Sequence, residues 1–195
     1  MDLQGKKYVA IDAECLRDVK PPFSFDRSEY LGNAVTCTYT NDGEFKDWIG
    51  NESIAQFMNY ILQFDYIIGY NTISFDYPLW GGALLGAEHP NARKIFLNAT
   101  KGKTIDLAKD VYDKFKQRIK LQNISVPTLG DAKEMDGGFA PEQWRNGACF
   151  EVIEYCRGDV RRTLDLFFLA ATGEELKLKS YSGDIKTFKL EPKIR

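Results

Sequence analysis

Five residues in three separate segments carry the side chains with the most chemical reach. Asp12 and Glu14 stand in KYVAIDAEC, Asp76 closes YNTISFD, and Tyr155 and Asp159 sit in EYCRGDV. Each segment alone has an ordinary explanation. Asp12 and Glu14 can be wet acids at a strand end. Asp76 suits the positive end of a helix dipole, and Asp159 can face solvent beside a partly buried tyrosine. Together, however, they supply four carboxylates from distant parts of the chain that can converge at one edge of a single sheet. Such a cluster repels itself strongly. Divalent cations relieve the repulsion, and oxygen donors suit the hard ions Mg2+ or Mn2+. Two ions about 3.5–4 Å apart can activate a water, stabilise a leaving oxygen and clamp a phosphate for in-line displacement.

The elements that must position these residues follow from periodicity. Residues 7–14 alternate as a strand, with Val9, Ile11 and Ala13 on one face and Tyr8, Ala10, Asp12 and Glu14 on the other. PPFSFDRSEYLGN is a loop opened by two prolines. NAVTCTYT and GEFKDWI read as strands joined through Asn41-Asp42-Gly43, a strong hairpin signal. Ser53 is placed to cap the helix IAQFMNYILQF. The strand YIIGY and a helix around FDYPLWGGALLG follow. Then come a helix over 104–117 with a short strand at its front, a short helix at PTLGDAKEM, and the loop GGFAPEQWRNG with one turn.

The helix from about Ala148 to Ala171 closes the core through Ile153, Val160, Leu164, Phe167 and Ala171. Tyr155 and Asp159 lie four apart on a different face of it. Gly158 stands between them, although glycine in a helix interior costs about 1 kcal/mol relative to alanine. The order of elements predicts an α/β fold, a mixed sheet flanked by helices. After Thr172 the chain changes character, and residues 172–195 read as a slightly basic hairpin or arm turning at Ser182-Gly183-Asp184.

Bulk properties narrow the class. A chain of 195 residues favours one domain with a substantial core. A net charge of −2 excludes a general basic coat for nucleic acid, so a polyanion must be held by a local patch or through metal ions. Cys15, Cys37, Cys149 and Cys156 form no CxxC pair, which argues for reduced, buried thiols in a cytoplasmic protein. No run approaches a membrane span.

DxE at 12–14, Nx3FD at 71–76 and Yx3D at 155–159 resemble, in order, the three motifs of the DEDD-type 3′–5′ exonucleases. The match is to the tyrosine (DEDDy) subtype within the DnaQ-like, ribonuclease H-like superfamily. TIDL at 104–107, PTLGDAKEM and WRNG at 144–147 are also similar to the exonuclease domains of family-B DNA polymerases. The resemblance covers roughly residues 7–170 and implies a ribonuclease H-like exonuclease domain over 1–171. It implies two Mg2+ or Mn2+ ions held by Asp12, Glu14, Asp76 and Asp159, with Tyr155 orienting or helping to activate the attacking water. A phenol of pKa about 10 is a poor base at neutral pH, which favours positioning. Asn71 and Phe75 would hold or wedge the terminal nucleotides. Cys15 stands where many relatives carry threonine after DxE, in a place for substrate contact. Single-stranded DNA or RNA 3′ ends are the implied partners, with a polymerase or another replication or repair protein beside them. A structure-selective endonuclease of the same superfamily, or a non-catalytic nucleic-acid-binding or replication-accessory module, would share these features.

Other candidates carry less. His89, the single histidine, lies in the GAEHPN loop with no nucleophile motif beside it. KFKQRIK can contact a phosphate backbone or be a solvated helix face. Trp48, Trp80 and Trp144 read as core or rim residues.

Overall fold

The computed structural model describes residues 3–130, 137–180 and 182–195. Five strands, β1 (Tyr8–Cys15), β2 (Asn33–Thr40), β3 (Phe45–Ile49), β4 (Tyr66–Gly69) and β5 (Thr104–Asp106), form one mixed sheet in the order β3-β2-β1-β4-β5. The β1–β2 and β2–β3 pairs are antiparallel, while β1–β4 and β4–β5 are parallel. The helices are α1 (Ile54–Ile61), α2 (Asp76–Leu85), α3 (Ile95–Ala99), α4 (Leu107–Phe115), α5 (Gln122–Leu129), α6 (Ala140–Arg145) and α7 (Cys149–Thr172). A separate hairpin joins β6 (Leu176–Lys179) to β7 (Ile185–Phe188).

The alternation along β1 divides the core into two layers. Val9, Ile11 and Ala13 pack with Ile54 and Phe57 of α1, Leu79 and Trp80 of α2 and Phe96 of α3. Ala10 faces the other way, onto Val152, Cys156, Val160 and Phe167 of α7, with α4, α5 and the hairpin alongside. The first layer is strongly aromatic: Phe57 and Trp80 centroids lie 4.6 Å apart, and Trp80 and Phe96 5.5 Å. Such ring pairs add about 0.5–1.5 kcal/mol each beyond their burial. Trp80 also donates from Nε1 to Thr36 Oγ1 at 2.6 Å, so its one polar atom is satisfied.

Some local expectations change. Ser53 lies inside the 3-10 turn Asn51–Ser53 with helical backbone angles, and its hydroxyl bonds Gly50 O at 2.9 Å; it does not cap α1. α5 begins at Gln122 and ends at Leu129, so it covers only the PTL of PTLGDAKEM; residues 131–135 lie outside the described residues. GGFAPEQWRNG contains a full short helix, α6. α3 falls where the sequence predicts no element. On α7 the most deeply buried line runs through Val152, Cys156, Val160, Phe167 and Ala170, while Ile153 and Ala171 are only half-buried. The hairpin after Thr172 sets Leu176, Phe188 and Leu190 into the α7 layer. Residues 194–195 then cover the β5 edge, through the Ile105–Ile194 bridge and Arg195 N to Thr104 O at 2.8 Å.

Two glycines let α2 sit tightly between its neighbours. A Cβ on Gly82 would stand 1.9 Å from Glu29 O, and one on Gly81 1.7 Å from Ala92 O. These are backbone atoms that cannot swing away. Gly82→Ala should therefore cost about 1–3 kcal/mol of stability, read as a lower melting temperature, because the turn Phe25–Tyr30 must move off α2. An unchanged melting temperature would show that this turn is free to shift.

Candidate active site: a carboxylate-lined cleft

The parallel strands β1, β4 and β5 end at one edge of the sheet, the place where open α/β sheets gather their ligand sites. β1 outruns β4: Ala10 pairs with Ile68 near the end of β4, and Asp12 and Glu14 project beyond. The chain leaving β4 turns through Asn71, whose φ of 67° is left-handed, and reaches Asp76 at the first turn of α2. α7 lies over the same face of β1, with Cys156 Sγ 3.5 Å from Asp12 O. This packing brings Tyr155 and Asp159 to the strand ends. Asp12, Glu14, Asn71, Phe75, Asp76, Tyr155 and Asp159 all line one cleft of about 800 Å³.

Cys15 does not join them. Alternation turns it to the opposite face, where it is buried in the aromatic layer and donates from Sγ to Arg17 O at 3.3 Å. Burial pushes its thiol up to about 12. Its side chain packs in that layer and does not line the cleft. His89 is exposed in its loop, with Nδ1 accepting from Asn91 N.

The electrostatics of the cleft follow from burial and from like charges facing one another. Asp12 is raised well above the ordinary carboxyl range by desolvation, then by Asp76, Asp159 and Glu14. Glu14 is raised in the same way, by desolvation and then Asp159 and Asp76. Burial carries Asp76 up to about 8. Asp159 is raised by burial too, against the lowering influence of the Tyr155 hydroxyl and of Arg162, whose Nη1 donates to its Oδ1 at 3.1 Å. The Tyr155 phenol is raised by desolvation and then by the surrounding acids, so it stays protonated across the neutral range.

Several contributors were not singled out from the sequence. Asp106, at the end of β5, accepts from the amides of Asn71 (2.8 Å), Ile73 (2.9 Å) and Lys109 (3.3 Å). One buried carboxylate thus caps α4 and holds the turn that leads to Asp76. Its place between a strand and a helix was the available signal. Phe25 stacks on Phe75 with centroids 4.5 Å apart, and Ser28 Oγ ties the same turn to Phe75 O at 2.7 Å. Arg162 explains Gly158: a Cβ there would stand 3.0 Å from Arg162 Nη1, so the bare backbone leaves room for the guanidinium to fold back onto Asp159. Gly158→Ala should raise stability by about 1 kcal/mol, because the helix-interior glycine is removed and the guanidinium is the flexible partner. Thermal unfolding checks this. A lower melting temperature would show that Arg162 is pinned in place.

The donor set fits hard divalent cations, since Asp12, Glu14, Asp76 and Asp159 offer only carboxylate oxygens and Arg162 brings a single positive charge against them. Among the described residues, no three His, Cys, Asp or Glu side chains already stand in an ion-holding arrangement. The carboxylates would have to draw inward around an ion.

The fold is ribonuclease H-like: an α/β architecture with a mixed five-stranded sheet flanked by helices. Among solved structures, the chain is similar to the family B DNA polymerase from the hyperthermophilic archaeon Pyrobaculum calidifontis, with a TM-score of 0.62 and 20% identity. The likeness covers 84% of this chain and 24% of the polymerase, so the chain spans about a quarter of that protein. No protein-family model matches the chain, and no curated protein matches it. Among the described residues, no helix is long and apolar enough to cross a membrane.

Proposed function

We propose that the protein is a metal-dependent 3′–5′ exonuclease that hydrolyses single-stranded DNA or RNA to nucleoside monophosphates. One observation carries this reading: four carboxylates and a tyrosine from three distant segments face one cleft at the ends of the parallel strands. The likeness in fold to a DNA polymerase supports a role on nucleic acid, alone or beside a polymerase or other replication or repair protein.

Asp12, Glu14, Asp76 and Asp159 would hold two Mg2+ or Mn2+ ions. When bound, the ions supply charge neutralisation at the phosphate and a more acidic water. The chain's own contributions can be derived without them. Tyr155, kept protonated, donates toward Asp159 and orients a neighbouring water rather than taking its proton. Asp106 holds the Asn71 turn, so that Asn71 and Phe75 stay at the cleft wall. The Phe25–Phe75 stack offers a ring face to a nucleobase, a contact tolerant of sequence. A single strand is favoured because its terminal nucleotide must leave any duplex to enter the cleft.

The test is incubation with 5′-labelled single-stranded DNA and RNA in Mn2+, Mg2+ or EDTA. A ladder shortening from the 3′ end, abolished by EDTA, is expected. A blocked 3′ end should stall it; continued internal cleavage would favour an endonuclease. Strands bound yet intact with every metal would favour a binding module instead.

A further inference from the structure

The cleft opens onto a line of cations at odds with the chain's net charge of −2. Lys109, Arg118 and Lys120 stand on its wall. Beyond them the line continues onto the C-terminal hairpin through Asn123. The Asn123 amide donates to Lys120 O at 3.0 Å, and its side-chain Nδ2 donates to Lys179 O at 3.1 Å. Asn123 thus ties the backbone at Lys120 to the backbone at Lys179. Thr128 fixes the next step, accepting from Lys177 N at 2.8 Å and donating to Lys177 O at 3.1 Å. Leu176 and Phe188 turn inward on the hairpin, so alternation sends Lys177 and Lys179 outward together, about 7 Å apart along the strand. Both are exposed. Lys109 is already paired with Asp113 at 2.8 Å, but the acids near the other cations compete weakly. Arg118 meets Asp26 at 3.8 Å with both side chains about 80% exposed, a pair of small worth. Asp184 is turned to the Ser182 hydroxyl at 2.7 Å, and Glu174 and Glu175 lie at the base of β6.

We infer that this ridge, from Lys120 across Asn123 to Lys179 and Lys177, carries the sugar-phosphate backbone of the single strand on the 5′ side of the end held in the cleft. The inference rests on the function proposed above for the cleft itself. Exposed lysines on the outward side of a hairpin strand, tied through Asn123 to the helix beside the cleft, suit a phosphate backbone and carry no base selectivity. The hairpin then gives length dependence: short strands reach only the cleft, and longer ones gain the ridge.

The experiment compares the full chain with a Lys177→Glu/Lys179→Glu variant. Anisotropy would be followed in EDTA on oligothymidylates of about five and about twenty nucleotides, across a range of salt. For the longer strand, the variant should lose affinity on the order of tenfold at low salt, and its log–log salt slope should fall by about 1.4, at about 0.7 per phosphate contact. The shorter strand should bind both proteins alike. Lys177→Gln/Lys179→Gln should show a smaller loss in the same direction. Hydrolysis of p-nitrophenyl thymidine 5′-phosphate with Mn2+, which is too small to touch the ridge, should be unchanged. Equal affinity and slope on the longer strand would overturn the ridge while leaving the cleft reading intact. A lost ester hydrolysis in the unaltered chain, with the slope change still present, would instead remove the catalytic reading and leave the ridge standing.

Discussion

Asp12→Asn should lower metal-dependent strand shortening by about three orders of magnitude, equivalent to about 4 kcal/mol of transition-state stabilisation, and should raise the melting temperature of the metal-free protein. The two effects have one cause. Asp12 is held among Glu14, Asp76 and Asp159 in surroundings that disfavour its charge. In the unfolded chain that carboxylate is hydrated at no such cost, so its charge favours unfolding. Asparagine keeps the shape and removes the charge, which relieves the folded state. It also removes a charged oxygen donor from the proposed ion site, and activity falls. Melting in EDTA and a labelled-strand assay read the two arms. A lower melting temperature would mean that Asp12 is a structural group, and retained activity would place the chemistry elsewhere.

Stability of the metal-free protein should fall as pH rises from about 4 to about 8. The sign follows from proton counts. In the unfolded chain an aspartate releases its proton near pH 3.9, whereas burial holds Asp76 up to about 8. Between these limits the folded state binds more protons than the unfolded one, so stability declines with pH. Asp12 and Glu14 act in the same direction. Below the window Asp76 is protonated in both states; above it the penalty from that residue is complete. Saturating Mg2+ should offset the decline, and most strongly at the upper end, because the ion binds the carboxylate form. Urea unfolding across the window, with EDTA or Mg2+, measures both slopes. Asp76→Asn should remove part of the EDTA slope. A flat profile in EDTA would contradict the electrostatic account of the cleft.

Much of this site is legible in the residues themselves. Strand alternation has period two, so Asp12 and Glu14 had to share a face of β1 opposite Val9 and Ile11. Helix spacing had to stack Tyr155 over Asp159. Asn41-Asp42-Gly43 carried its own turn signal, and Gly43 is indeed left-handed at φ 83°. The same alternation, applied one residue further, would have sent Cys15 away from the cleft. Resemblance to relatives that carry threonine there drew it to the substrate instead.

What the chain determined by itself is therefore local: which side chains share an element and a face, and that four scattered carboxylates need a common reason. Tertiary packing alone decided the rest. The parallel register of β1, β4 and β5 lets Asp106 reach two amides more than thirty residues earlier. The placing of α7 over β1 converts two separate motifs into one wall, and the space above Gly158 is defined only once Arg162 folds across it. The hairpin's lysines come beside the cleft because Asn123 and Thr128 tie their strand to α5. These contacts span elements whose sequences carry no mark of one another. Local periodicity encodes which face is buried, but it does not encode which distant face will cover it.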